Sequence, residues 1–583
     1  MVKMRSMAGP VALFMLGLLM FQGMSSFATT RASADAGNNT TAPANTGDYN
    51  VIEVPNSVGG GFEPHILAAP GVDGKEWLYI DSPTGVGPTA PSGNLFISKD
   101  HGKTWANHQD KGANHRTVLG SGDTYTAVTG DGTIYYTDLW LATATVDTSN
   151  DGAVHWVKNP QASITPIDDR QWFGLGPAIG NNPLKQPQAL YFEYNELLHG
   201  LYLMKSQVTK QGWVWRPCNK YQAVTTSVNF RDNFAVDNQD GTIYLPNTEG
   251  SGQKDLEMYI STDGCASFKK VHVFTGNSSI ENIFVVADID TAENVYLAWS
   301  TGANVSMARS TDHGATWKVF NVTTTLGTRV LPWITAGDPG RIGICYYETN
   351  ATGNPEQFKT NVSWGVMSAI SVDALSDHPN FTFQQVINYT HSGAIRITGT
   401  GGTSDRDLGD YMSNDVDQYG RHIMSFGNDG NDGANHYHSK VMYAVQREGP
   451  FLKAGVGPVA NFTYTQEGMK ISVDGTRSYD MSGTGLSAYD WVWGDGLNDS
   501  GAVPMLSHGF KKAGVYTVRL RVTNLLDMTN STYQLVYLRV SGGLAISPPL
   551  AIAAIVIIAA VIVTYVFRKK VKGLFGRKDR VQK

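Results

Sequence analysis

Ser98-Lys-Asp100-His-Gly102-Lys-Thr104-Trp105 returns later in the chain as Ser310-Thr-Asp312-His-Gly314-Ala-Thr316-Trp317. The pattern has a physical reading. The Ser and Asp oxygens accept hydrogen bonds from the amides of a tight turn, the Gly permits positive φ, and the Trp ring turns into a core. A weaker copy is Ser261-Thr-Asp263-Gly-Cys265-Ala-Ser267-Phe268. A degenerate one is read at Thr148-Ser-Asn150-Asp-Gly152, with Trp156 displaced by one. A motif that recurs at long intervals marks a fold assembled from similar modules.

Other segments recur in phase with it. An apolar strand opens each unit, at 64–69, 125–129, 172–175, 233–237, 284–288, 333–337 and 411–417. A turn and two further strands follow, the last leading to the motif position. Short alternating strands with Gly and Asp turns carry hairpin signals. Seven such units cannot each bury two apolar faces alone. Placed radially, neighbours cover one another and the sheet edges stay short. A seven-bladed β-propeller over residues 51–452 is expected, with six blades as the alternative.

The repeated octapeptides resemble the Asp-box, or BNR repeat, of the sialidase-like propellers, and the resemblance extends over about two-thirds of the chain. It implies a structural role for Ser98, Asp100, Gly102, Trp105, Ser261, Asp263, Ser310, Asp312, Gly314 and Trp317. It also states what a sialidase would need: three converging arginines, a tyrosine nucleophile with a glutamate partner, and an acid/base aspartate. Arg170, Arg231 and Arg406 are the candidate arginines and Tyr411 the candidate nucleophile. Asp169 and Glu281 are the accompanying carboxylates. Where sialidases carry F-R-I-P before the first inner strand, this chain has Phe62-Glu63-Pro64-His65. An acid there repels a substrate carboxylate.

In a propeller, the loops entering the innermost strands line one mouth of the channel. Here they hold Glu63, Asp169, Arg170, Arg231, Asp232, Asp407 and Asp410, a charged set suited to a sugar or a carboxylate ligand. The bland reading is Asp–Arg pairing that locks neighbouring blades. The loop Asn428-Asp429-Gly-Asn-Asp432-Gly433 offers oxygen ligands for Ca2+ through Asp429 and Asp432, although its spacing is not that of an EF-hand.

Residues 456–541 change character. Tyr489-Asp-Trp491-Val-Trp493-Gly-Asp495-Gly496 is followed by Gly514-Val-Tyr516-Thr-Val518-Arg-Leu520-Arg-Val522-Thr-Asn524, which alternates as a half-buried strand does. Together these resemble a PKD domain, an immunoglobulin-like β-sandwich. The resemblance implies that Trp491 fills the space between sheets and that Gly494-Asp495-Gly496 makes a turn. The whole class is therefore all-β, a propeller followed by a sandwich and one transmembrane helix.

The ends carry targeting signals. Residues 1–28 read as a signal peptide: Lys3 and Arg5, an apolar run, then Ser26-Phe27-Ala28. Residues 29–50 lack apolar period and read as a flexible linker. Residues 544–567 are apolar. Their uncharged part, 550–567, makes a helix roughly 27 Å long at about 1.5 Å per residue. Residues 568–583 are a basic tail of eight cations and one acid. Positive-inside logic places that tail in the cytoplasm and residues 29–543 outside the cell membrane.

Charge excludes one function class. Net charge is −6; the tail contributes +7 and the first residues +2, leaving about −15 for the rest (−6 − 7 − 2). So acidic an exterior repels phosphate backbones and argues against nucleic acid as a partner. Twelve N-x-[S/T] triplets lie in the expected exterior, a basis for surface glycosylation. Of the three cysteines, Cys218 and Cys265 are the expected disulfide; three buried thiols are the alternative.

The reading is a membrane-anchored surface protein, non-catalytic, that presents its propeller to glycan or to cell-envelope protein. The alternative is a membrane-bound exo-glycosidase with its site at the mouth. The expected partners are thus membrane lipid through the C-terminal helix and a glycan or protein at the mouth; no cofactor is required beyond the possible Ca2+.

Overall fold

The structure, a computed structural model, describes residues 48–57, 61–84, 93–108, 122–140, 143–159, 162–163, 168–177, 188–196, 200–207, 215–218, 224, 232–277, 279–280, 284–397, 407–429 and 439–539. The expected signal peptide, transmembrane helix and basic tail lie outside these residues. No helix among the described residues is long and apolar enough to cross a membrane.

Seven four-stranded antiparallel sheets occur among the described residues before position 447. Their first strands are His65–Pro70, Thr124–Val128, Asp168–Pro177, Ala235–Val236, Val286–Ile289, Thr328–Ala336 and Ser413–Val416. Each first strand packs beside those of the sheets before and after it, and the seventh packs beside the first. The result is a closed, propeller-like ring. Closure has a chain-level device: Tyr49–Glu53, the earliest strand among the described residues, pairs with Lys440–Gln446 and completes the seventh sheet. Among the described residues strand structure thus begins at Tyr49, two residues inside the expected linker. Tyr49 is fully buried, and its hydroxyl donates to Ser368 Oγ of the sixth sheet at 2.8 Å.

The octapeptides form the turns between third and fourth strands. In the first, Ser98 Oγ donates to Asp100 Oδ1 (2.9 Å) and accepts from Gly102 N (2.9 Å), while Asp100 Oδ1 accepts from Thr104 N (2.8 Å). Gly102 has φ +87°, and a Cβ there would strike the Tyr443 ring at 2.2 Å, so glycine is required twice over. The degenerate copy is in register after all. Ser149, Asp151 and Ala153 take the Ser, Asp and Gly places, with Ser149 Oγ to Asp151 Oδ1 at 2.9 Å and Ala153 N to Ser149 Oγ at 3.0 Å. Trp156 is therefore not displaced; the expected alignment on Thr148, Asn150 and Gly152 was one residue early. A further copy, Ser371 and Asp373, makes the same 3.0 Å side-chain bond in the sixth sheet. It is hidden in sequence because the turn is lengthened and lacks the Gly and Trp.

Cys218 and Cys265 form a disulfide, Cα–Cα 5.3 Å, that ties the edge of the third sheet to the turn of the fourth. Cys345 is a buried thiol.

Residues 458–538 form a β-sandwich. One sheet is Thr463–Glu467, Lys470–Asp474 and Met505–Gly509; the other is Asn498–Gly501, Leu486–Val492, Gly514–Asn524 and Thr529–Leu538. Trp491 and Trp493 are fully buried between them, stacked at 5.8 Å with 6° between planes. The turn 525–528 docks on the propeller. Arg421 Nη1 donates to Leu526 O (3.1 Å), Arg447 O accepts from Thr529 N (2.7 Å), and Arg521 pairs with Glu448 (3.2 Å). Arg421 follows the turn between first and second strands of the seventh sheet. In an antiparallel meander that turn lies on the face opposite the loops that enter the first strands. The sandwich is thus attached away from the charged mouth.

Candidate functional site

The mouth is built from residues that precede the ring's inner strands and, in the third sheet, from Arg170 at a register shift near the start of its strand. Glu63 and Arg170 both stand in the left-handed region, at φ 49° and 51°. For non-glycine residues this costs about 1–3 kcal/mol each. It turns their side chains across the axis, where they meet. Arg170 Nη1 lies 2.8 Å from Glu63 Oε2 and Nη2 lies 2.8 Å from Asp410 Oδ2. Asp123 Oδ2 is 3.6 Å from Nε and also accepts from the Arg170 backbone amide (3.1 Å). Four sheets are joined through one guanidinium.

All of this is buried. Burial pushes the Glu63 carboxyl up, against the opposing pull of Arg170. Burial also disfavours the Arg170 charge, but Asp123, Glu63 and Asp410 outweigh it and hold the guanidinium protonated. One cation facing three carboxylates has no attraction left for an anionic ligand.

Beneath the charges lies an aromatic floor. Arg170 Cζ sits 4.9 Å from the Phe284 ring centroid, 5.4 Å from Tyr411 and 5.6 Å from Trp172. Trp172 touches Tyr411 (5.4 Å), Phe284 (5.3 Å) and Trp333 (5.7 Å), and Tyr125 stacks on His65 at 3.8 Å. These rings come from six different inner-strand regions and fill the axis. The Tyr411 hydroxyl donates to Thr124 O at 3.1 Å, and burial raises its pKa well above the ordinary phenol value. A buried, engaged, strongly protonated phenol is a poor nucleophile.

The remaining expected residues are dispersed. Asp232 is buried and accepts from Val285 N at 2.6 Å, linking the fourth and fifth sheets. Asp169 stands opposite Asn195 beside a register shift. Asp407 is half-buried near the seventh sheet. Asp429 accepts from Tyr389 (2.9 Å), and its other oxygen lies 2.9 Å from His391 Nδ1. Arg231, Glu281, Arg406 and Asp432 lie outside the described residues. Among the described residues no group of three or more His, Cys, Asp or Glu is placed to hold a metal ion.

Sequence reasoning missed Asp123 and the aromatic floor. A signal existed: Glu63-Pro-His65, Asp123-Thr-Tyr125 and Arg170-Gln-Trp172 each set a charge two residues before a ring. The spacing recurs at the entry to three successive inner strands, where the left-handed turns at Glu63 and Arg170 bring the charges over the rings.

Residues 456–540 match the PKD domain family, and this part of the chain is a PKD domain. It is similar to the PKD1 domain of Vibrio anguillarum Epp, with 33% identity over 14% of this chain and 95% of that one, TM-score 0.14. The larger part is similar to a protein of unknown function from Dyadobacter fermentans: 15% identity, 68% of this chain, 97% of that one, TM-score 0.37. It is also similar to a mutant of the NanB sialidase from Streptococcus pneumoniae: 11% identity, 68% and 70% covered, TM-score 0.34. No curated protein matches the chain. The ring itself rests on its strand pairing and closure.

Proposed function

We propose that this chain is a membrane-anchored surface protein in which a seven-bladed, sialidase-like propeller serves as a non-catalytic binding module for glycan or cell-envelope protein. The PKD domain is its spacer, residues 544–567 its anchor, and residues 29–543 its exterior. The observation that carries the non-catalytic part is the state of Arg170. Its charge is spent on Glu63, Asp410 and Asp123, and the nearest phenol, Tyr411, is sealed in the aromatic floor. Attachment of the PKD domain on the far face supports the binding part, because it leaves the mouth loops turned away from the anchor.

The test uses the full chain in detergent with a panel of aryl glycosides that includes a sialoside. The expected result is no turnover above that of an Arg170→Ala, Tyr411→Phe double variant. Turnover that this double variant abolishes would replace the reading with the exo-glycosidase one. For topology, protease added to intact cells is expected to release the propeller and leave a small membrane stub; full protection would overturn the orientation.

A further inference from the structure

The PKD domain has two ends. One, the turn 525–528, is bonded to the propeller. The other lies about 30 Å away, since ten paired positions at about 3.3 Å each separate them along the last two strands. Four pieces of chain meet at that far end: residues 467–470, 493–497, 511–515, and Arg539, where the described chain stops.

This end is firmly built. Trp493 N donates to Leu497 O at 3.1 Å, and the Trp493 indole stacks on His508 at 4.6 Å. His508 Nε2 lies 2.9 Å from Asp495 Oδ2, Trp493 Nε1 donates to Asp499 Oδ2 (2.8 Å), and the Tyr516 hydroxyl donates to Lys512 O (3.0 Å). Yet it holds Leu497 and Val515 in solvent, 53% and 60% exposed. Exposed Lys470, Lys511, Lys512 and Arg539 stand on the same four pieces of chain. The acids here are Glu467, Asp495 and Asp499, two of them engaged as described. A basic rim around apolar tips contrasts with an exterior of about −15 overall.

We propose that this far end is a membrane-seating surface. Leu497 and Val515 enter the headgroup layer of the bilayer, and the four basic residues contact anionic headgroups. The proposal rests on the reading of residues 544–567 as the anchor. Only Val540-Ser-Gly-Gly543 separates Arg539 from Leu544. Five steps at no more than about 3.6 Å reach less than about 18 Å, and the headgroup layer is itself roughly 5–8 Å deep. A domain on so short a tether stands at the lipid surface. Apolar tips with a basic rim are stable there, whereas the acidic remainder of the exterior is repelled. Seating fixes the tilt of the spacer and hence the direction in which the docked propeller points.

The experiment places a bimane label on Leu497→Cys, on Val515→Cys and, as control, on Val319→Cys of an outer propeller strand. Cys345 is fully buried and stays unlabelled. Each full-length variant is reconstituted in vesicles of equal phosphatidylcholine and phosphatidylglycerol containing a headgroup-nitroxide lipid, then washed with alkaline carbonate. The expected result is retention on vesicles with loss of emission at positions 497 and 515 and none at 319. Retention without that loss, including any case in which a second copy covers the tips instead, overturns the seating surface and leaves the anchor standing. Release by carbonate overturns the anchor and the seating surface with it.

Discussion

The Arg170 guanidinium and the Glu63 carboxylate, 107 residues apart in the chain, meet face to face at 2.8 Å and 3.4 Å in the buried centre of the ring. Neither has water to fall back on, so the pair is a lock whose breakage leaves charge stranded. Arg170→Met is expected to cost about 3–5 kcal/mol by leaving buried carboxylates unpaired. Urea unfolding measures it. The Arg170→Met, Glu63→Leu double variant should lose less than the sum of the singles; simple additivity would mean that the two side chains do not act as a pair.

Stability should fall as pH rises toward 8. Glu76, whose Oε2 accepts from Gln418 N at 2.6 Å, has its pKa pushed up to about 8, first by burial and then by Asp417. A carboxyl raised in the folded state keeps its proton after the unfolded chain has lost its own. Its contribution is complete below about 4.5 and disappears as pH passes 8. Asp415, raised to about 7, and Asp288, raised to about 6, act in the same direction. Glu76→Gln should flatten the decline between pH 5 and 8 by an amount on the order of 2 kcal/mol, after allowance for partial solvent access. An unchanged slope in denaturant midpoints across that range would count against the assignment.

The Cys218–Cys265 disulfide closes a separation of 47 residues. A loop of that length is worth about 4 kcal/mol through restriction of the unfolded chain. Cys218→Ser, Cys265→Ser should therefore lower the stability of the propeller by about 2–4 kcal/mol. Thiol titration of the denatured, unreduced chain is expected to find Cys345 alone; three reactive thiols would show that the bridge does not form.

Ring closure depends on the strand Tyr49–Glu53. Deleting residues 49–53 exposes the edge Lys440–Gln446, which pairs with them, and removes the Tyr49 hydroxyl from Ser368. An open edge in a closed ring invites association between chains. The deletion should give aggregated or dye-binding protein, with fast amide exchange over 440–446. Tyr49→Phe keeps the strand and should cost only about 1–2 kcal/mol. A deletion that stays monomeric with protected amides would show that closure needs no such strap.

Local chemistry explains which parts were legible. The Ser–Asp turns are written in contiguous residues, because Ser98 and Asp100 bond to amides no more than four positions away. The alternation of 514–524 likewise shows which face of that strand is buried. The fifth motif copy, at Ser371 and Asp373, escaped because its other elements are replaced by a longer turn. The aromatic floor escaped because His65, Tyr125, Trp172, Phe284, Trp333 and Tyr411 are never near one another in sequence; only radial closure makes them neighbours.

The amino-acid order alone determined the unit of construction: a short sheet ending in a hydrogen-bonded turn, repeated, followed by a sandwich with Trp491 in its core. Those are matters of period, propensity and contacts within a few residues. The tertiary structure alone decided that Arg170 is a neutralised lock and Tyr411 a buried ring. Whether a charge is available to a ligand depends on what stands across from it, and here every partner comes from another sheet.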